Sequence, residues 1–306
     1  MIETQNLTKH FGDILAVDNL TLSIPPGQVF GFLGPNGAGK TTTVRMLATL
    51  IGPTSGTATV AGYALDGEEQ SIRRHVGILT ETPGLYERLS AARNLEIFAN
   101  LYEVEDVAGQ VEKFLRMLGL WERRQETAGT FSKGMKQKLA IARALLHEPQ
   151  VLFLDEPTAG LDPEASRLVR DFVSELRAEG RTIFITTHNL DEAERLCDRI
   201  AVFNQRLRVV DSPVGLRRRL YGRQVVFHLG DGAQRFVDVL AGSPAVKHVD
   251  AVDNKLVAAV AEPEAANPEL IRALVAAGAD IQFVGEIRHS LEEIYLQLVN
   301  AEEVVP

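Results

Sequence analysis

A chain of 306 residues with 45% apolar and 24% charged residues can bury a sizeable core, and by size it reads as one large domain with a small one, or as two. A formal net charge of -9 opposes sequence-independent binding to nucleic acid, and no apolar run approaches the roughly 18 residues that a membrane span needs. The single cysteine, Cys197, excludes an intrachain disulfide, and the N-terminus MIETQNLTKHFG lacks a basic region ahead of an apolar run, so the chain reads as cytoplasmic.

In chain order, LAVDNLTLSIPPGQ alternates with period two before a Pro-Pro-Gly turn and predicts an antiparallel sheet. From there to about Val210, β-rich runs (GQVFGFLG, HVGILT, QVLFLD, TIFITTH) alternate with helical ones (TTVRMLATLI, ARNLEIFANLY, KLAIARALL, SRLVRDFVSELRAEG). That is the pattern of an α/β layer fold with a largely parallel sheet. Between the first of these strands and its helix lies GPNGAGKTT, comprising Gly34, Pro35, Asn36, Gly37, Ala38, Gly39, Lys40, Thr41 and Thr42. Its G-x-x-x-x-G-K-[ST] spacing predicts a phosphate loop. Glycines let backbone N–H groups converge on phosphate oxygens, Lys40 supplies a cation to the β- and γ-phosphates, and Thr41 offers a hydroxyl to Mg²⁺.

Further along, FSKGMKQKLAIARALL begins like a helix with Ser132 as N-cap, yet sets Lys133 and Lys136 in or near the first turn. A cation there costs about 0.3 to 1 kcal/mol unless an anion offsets it, so an anion is expected. The apolar strand in VLFLDEP then ends in two carboxylates: Asp155 suits Mg²⁺ coordination, and Glu156 can polarise an attacking water as general base. His188 ends TIFITTH at the same edge of the sheet, where ligands of open α/β sheets gather, and a γ-phosphate contact is expected of it.

The basic run LRRRLYGR, Leu216 to Arg223, reads as a solvated helix face. After Tyr221-Gly222 come shorter elements: strand 224–229, helix 232–241, strands 246–251 and 255–261, helix 267–277 and strand 280–286. This βαββαβ order predicts a ferredoxin-like domain. A last helix, SLEEIYLQLV, carries Leu291, Ile294, Tyr295 and Leu298 on one stripe that packs internally.

Residues 1–220 resemble the ATP-binding cassette (ABC) ATPases. The resemblance rests on ordered motifs: GPNGAGKTT is similar to the Walker A loop, FSKGMKQ to the signature loop, VLFLDEP to Walker B, AGLD (Ala159 to Asp162) to the D-loop, and His188 to the switch histidine. It implies a P-loop NTPase cassette with a parallel-sheet core, an antiparallel β subdomain and a helical subdomain, followed by an accessory domain over 221–306. Phe11, in KHFGDILAV, sits where the family places a ring on adenine. The resemblance also implies a head-to-tail pair of chains in which Ser132, Lys133, Gly134 and the helix N-terminus meet the partner's γ-phosphate, which would supply the missing anion. The lysine-bearing signature, TETPGLYERLSAARNL and the tail together resemble the ATP-binding subunits of antibiotic and multidrug exporters. That implies an ATPase driving a drug, antibiotic or lipid-like substrate through a separate membrane permease, with the chain held on the inner face of the membrane by that permease.

In this family the segment Leu85 to Leu95 borders the groove for the permease, although Leu85, Tyr86 and Leu89 equally suit a buried core. Glu81 stands where most cassettes carry a glutamine, and the family position implies contact with the Mg²⁺ and the attacking water. The alternative is a soluble ABC ATPase acting on ribosomes or nucleic acid. Relatives on ribosomes join two cassettes in one chain, and those on DNA insert a long coiled coil, whereas 115 residues without sustained heptads separate Lys40 from Asp155.

Overall fold

The computed structural model describes residues 1–80, 82–287 and 290–300, with backbone alone for 298–300. Glu81 and the side chain of Leu298 lie outside the described residues. Met1–Ser212 and Pro213–Gln297 form separate compact units. The basic helix Pro213–Tyr221 therefore groups with the second unit rather than ending the first.

In the first unit, Ile2–Phe11 pairs antiparallel with Ile14–Ile24 and with Ser55–Val60, which pairs with Tyr63–Ala64. The period-two run supplies the physical reason: Leu20, Leu22 and Ile24 are buried while the alternating Asn19, Thr21 and Ser23 are exposed. A second sheet runs, in spatial order, Arg206–Asp211, Arg199–Asn204, Val29–Leu33, Thr182–Thr187, Val151–Asp155 and Val76–Leu79. It is parallel throughout except for the antiparallel edge strand Arg206–Asp211.

Every residue of the central strands Val29–Leu33, Val151–Asp155 and Thr182–Thr187 is buried, as expected of a sheet covered on both faces. Phe30, Phe32, Phe153, Phe184 and Phe203 are fully buried, with neighbouring ring centroids 4.6 to 5.7 Å apart. The register Phe30–Phe184–Phe153 lines these rings up across adjacent strands. It equally sets Leu33 beside Thr187 and Asp155 beside Thr186, so three strands end level at one edge. The residues that follow them, Gly34, Glu156 and His188, emerge together.

In the second unit the strands stand in the order Val246–Val252, Lys255–Val260, Gln224–Leu229, Ile281–Glu286, all antiparallel. Numbered within the unit this is 2-3-1-4, the ferredoxin-like arrangement, around a core that includes Phe227, Leu256, Leu270 and Leu274. One helix starts earlier than its sequence suggests: Pro263–Ala276 begins four residues before the Asn267-Pro268 pair and carries Pro268 inside. Burial of Ala266, Leu270 and Leu274 at i, i+4, i+8 outweighs the backbone bond that Pro268 cannot make. Another, expected over 232–241, opens as a 3₁₀ turn, Ala233–Phe236, before its α-helical part, Val237–Ala241.

Within the basic run Leu216 is buried, and Arg223 forks between Glu264 at 2.7 Å and Glu286 at 2.8 Å. The fork holds the exposed Glu264 carboxyl down to about 2. Leu291 and Ile294 of the last helix are buried.

Cys197 is buried, and desolvation, followed by the nearby Asp198 and Glu192 charges, pushes its thiol up to about 12. It should therefore resist an aromatic disulfide reagent at pH 8 and react only on unfolding; rapid labelling of the folded chain would contradict this packing. A second test concerns Gly77, where a Cβ would fall 2.3 Å from the Ala144 carbonyl of the helix Lys133–Leu145. Gly77→Ala should lower stability to urea by about 1 to 3 kcal/mol through overpacking.

Candidate active site

Asn36 to Thr42, Asp155, Glu156 and His188 line one cavity of about 370 Å³, joined by Ala16 and Ala159. The loop can turn into the helix Lys40–Leu47 because Gly39 adopts φ 99°, and a Cβ on it would meet the Ala16 carbonyl at 2.2 Å. Helix N–H groups therefore face the cavity without an acidic residue in the first turn, an arrangement suited to an anion.

Lys40 is 7% exposed. Its Nζ donates to the Gly34 carbonyl at 2.7 Å and the Pro35 carbonyl at 3.2 Å, and stands 4.0 Å from Glu156 Oε1. Asp155, 4% exposed, accepts from Thr41 Oγ1 at 3.0 Å and from Thr186 Oγ1. A hydroxyl and a carboxylate oxygen thus converge beside the phosphate loop. This hard-oxygen pair fits Mg²⁺, which takes one or two protein oxygens and completes its shell with water and phosphate. Among the described residues no group of three or more His, Cys, Asp or Glu side chains could hold a metal unaided.

Glu156 lies at the strand end with its carboxylate 12% exposed. His188 Nδ1 is 2.9 Å from Glu156 Oε1, and the His188 backbone N–H points to Oε2 at 3.4 Å. Carboxylate and imidazole thus face one another at the cavity wall, with the imidazole 62% exposed.

Other expected residues stand apart from this cavity. Phe11 is 48% exposed, with Lys9 Nζ 5.1 Å from its ring centroid. Ser132 caps the helix Lys133–Leu145 by accepting from the Met135 N–H at 3.2 Å. Ser132, Lys133 and Gly134 do not line the cavity. Lys133 reaches the chain's own Ala159–Asp162 turn, where a Cβ on Gly160 would lie 2.2 Å from Nζ. Lys136 is paired with Glu87 at 2.6 Å. Leu85 and Leu89 are half-buried and Tyr86 is 51% exposed, so none of the three is core.

Three buried polar side chains around the carboxylates went unremarked in the sequence. Thr186 supports Asp155, Gln137 donates to the Pro157 carbonyl at 2.7 Å, and Thr158 donates to Glu192. Thr186 left only a weak signal, as one of three threonines in the strand Thr182–Thr187. Thr186→Val would leave the buried Asp155 short of one donor. A loss of about 1 to 3 kcal/mol in urea unfolding is expected, and unchanged stability would show that the hydroxyl contributes nothing there.

The sequence model of the ABC transporter family matches residues 17–159, and that of the ATP-binding protein DrrA1-3-like C-terminal domain matches 215–299. The chain is 35% identical to the ABC transporter ATP-binding protein YhcH of Bacillus subtilis, covering 97% of this chain and 95% of that one. It is 35% identical to the Nod factor export ATP-binding protein I of Cupriavidus metallidurans, over 99% and 98% of the two chains. It is 39% identical to the bacitracin transport ATP-binding protein BcrA of Bacillus licheniformis, over 76% of each. Among solved structures, an ATP-binding subunit of an ABC transporter superposes with a TM-score of 0.66 at 31% identity, over 72% of this chain and 93% of that one. The dimeric post-hydrolysis state of the cassette MJ0796 bound to ADP and Pi gives 0.64 at 26% identity, over 69% and 98%.

Proposed function

We propose a division of labour for this chain, which belongs to the ABC transporter ATP-binding proteins and is an ATPase: its first unit hydrolyses Mg-ATP at the cavity described above, its second unit serves as an accessory domain, and the work is export through a separate permease. The observation that carries the reading is the convergence of the phosphate loop, Asp155, Glu156 and His188 on one cavity. The printed activities of the relatives, bacitracin transport and Nod factor export, support a drug, antibiotic or lipid-like substrate. Among the described residues no helix is long and apolar enough to cross a membrane. In line with the relatives' printed roles as ATP-binding proteins of transport, the transport path is assigned to a separate permease that holds this chain at the inner face of the membrane.

In the proposed reaction, backbone N–H groups of Gly37 to Thr42 and the Lys40 ammonium bind the β- and γ-phosphates. Thr41 and Asp155 would hold Mg²⁺, which when bound neutralises phosphate charge. Glu156 accepts a proton from water as the water oxygen attacks the γ-phosphorus; the bond to the ADP oxygen breaks, leaving ADP and phosphate. His188 places Nδ1 against Glu156, which leaves Nε2 as the ring nitrogen open toward a phosphate oxygen. Phe11 is assigned to the adenine, and Ser132, Lys133 and Gly134 to the γ-phosphate of a second copy in a head-to-tail dimer. Their absence from the chain's own cavity and the dimeric state of the MJ0796 cassette support that assignment.

Glu156→Gln should keep nucleotide binding, lose hydrolysis by at least about a hundredfold, and accumulate an ATP-bound dimer on size exclusion. Hydrolysis at the wild-type rate in this variant would overturn the assignment of the base.

A further inference from the structure

Glu156 has a backbone φ of 49°, a left-handed conformation disfavoured for any residue with a Cβ. Such a conformation persists only where the surroundings over-determine it. Main-chain bonds supply part of the restraint: the Glu156 N–H donates to the Thr186 carbonyl at 3.0 Å, and the Ala159 N–H to the Glu156 carbonyl at 3.1 Å. These bonds close the turn on itself and toward the neighbouring strand. The first ties the turn to the strand Thr182–Thr187 that leads into His188, but neither ties it to the helix Leu190–Leu196 beyond His188.

That tie comes from a buried carboxylate with no part in the proposed chemistry. Glu192, 6% exposed, accepts from Thr158 Oγ1 and pairs with Arg170 Nη1 at 3.5 Å. It stands in the first turn of the helix Leu190–Leu196, where its own N–H is bonded by the N-cap Asn189 at 3.2 Å. Asn189 directly follows His188, and Thr158 stands two residues after Glu156, directly ahead of the Ala159–Asp162 turn. Beyond the main-chain bond to Thr186, two side-chain links join the segments: His188 to Glu156 at the cavity, and Glu192 to Thr158 behind it. The first joint is made by an imidazole that is largely exposed, whereas the second is buried. A charge buried to this degree is costly unless hydrogen-bonded and paired, and Thr158 and Arg170 supply both requirements. Arg170 comes from a third element, the helix Pro163–Ala178 that follows the Ala159–Asp162 turn.

We propose that Glu192 is a positioning residue of the hydrolytic site: together with Thr158 and Arg170 it clamps the strained turn bearing Glu156, and the Ala159–Asp162 turn after it, to the helix that follows His188. Its effect falls on turnover because it sets where Glu156 and His188 lie relative to each other, while the phosphate loop that binds nucleotide is held by other bonds. The inference rests on Glu156 as the base, so Glu156→Gln is assayed beside it.

The test uses the full chain, with ATP turnover followed by phosphate release and affinity by a fluorescent ATP analogue. Glu192→Ala should lower kcat about tenfold or more while KM and analogue affinity shift less than about threefold, the signature of a misplaced group rather than a lost binding site. Glu192→Gln, which retains an acceptor for Thr158, should recover most of the turnover. Thr158→Val should reproduce the Glu192→Ala defect, and the double variant should be no worse than either single one, because both remove the same link. If Glu192→Ala fails to fold, Thr158→Val decides: a selective fall in kcat supports the clamp, and unchanged kcat overturns it. Unchanged turnover in folded Glu192→Ala, or losses of kcat and affinity in step with no recovery by glutamine, would likewise overturn it while leaving the base in place. Wild-type turnover in Glu156→Gln would instead remove the base assignment, and this inference with it.

Discussion

Burial of charge at one edge of the parallel sheet is the constraint from which the rest of the site follows. Lys40 and Asp155 are both more than nine-tenths buried, and an isolated ion in such a place would neutralise or force the structure open. Each is instead wrapped in polar groups taken from different strands and loops. Lys40 has the carbonyls of its own loop and the Glu156 carboxylate, while Asp155 has one hydroxyl from the helix after the phosphate loop and one from the adjacent strand. Those partners meet only if three strands end level, and the buried phenylalanine cluster is what packs the strands in that register. Core and site are therefore one piece of engineering: dry aromatic packing below, and a preorganised set of dipoles above it.

The helix Lys133–Leu145 shows the same economy of charge at the surface. Two cations at a helix N-terminus look unfavourable in isolation, yet the two differ in their surroundings. Lys136 has a carboxylate, Glu87, which the pairing holds below the usual carboxylate range. In an exposed setting such a pair contributes little to stability. Its structural meaning is connection. The Gly129 N–H donates to the Glu87 carbonyl and the Ala128 N–H to the Leu89 carbonyl, each at 2.9 Å, and Arg143 Nη1 donates to the Gly84 carbonyl at 2.8 Å. The segment from Gly84 to Leu89 is thus fastened to the helix and to its lead-in by backbone and side-chain bonds alike. Lys133 sets its ammonium beside the Gly160 backbone, in the turn after the carboxylates.

In the second unit charge does a different job. Arg223, the end of the basic run, spends its guanidinium on Glu264 and Glu286, which belong to a helix and a strand far along the chain. A planar fork suits two carboxylates at once, and this is a geometric use of arginine that a lysine would not reproduce. The run as a whole is therefore no uniform basic patch: Leu216 faces inward, Arg223 is committed within its own unit, and Arg218 and Arg219 are exposed.

What was legible in the sequence follows from how local each signal is. Period-two alternation before the Pro-Pro-Gly turn, apolar runs of strand length and the βαββαβ order are properties of neighbouring residues, and the corresponding sheets are present. The phosphate loop was legible because its glycines, lysine and threonine must sit at fixed offsets to act on one anion. Helix starts were less so: the Asn267-Pro268 pair reads as a start, but burial of Ala266, against residues distant in sequence, draws the helix back to Pro263. Least legible were the side chains that hold the site in shape. Gln137, Thr158 and Glu192 occupy positions where polar residues are ordinary on a helix or in a turn, and nothing in their spacing marks them as buried. Their partners lie 20 and 34 residues away. A residue that touches the reacting atoms must obey the geometry of the ligand and so leaves a motif. One that positions it need only match whatever the fold brings alongside, and its meaning exists only once the chain has closed.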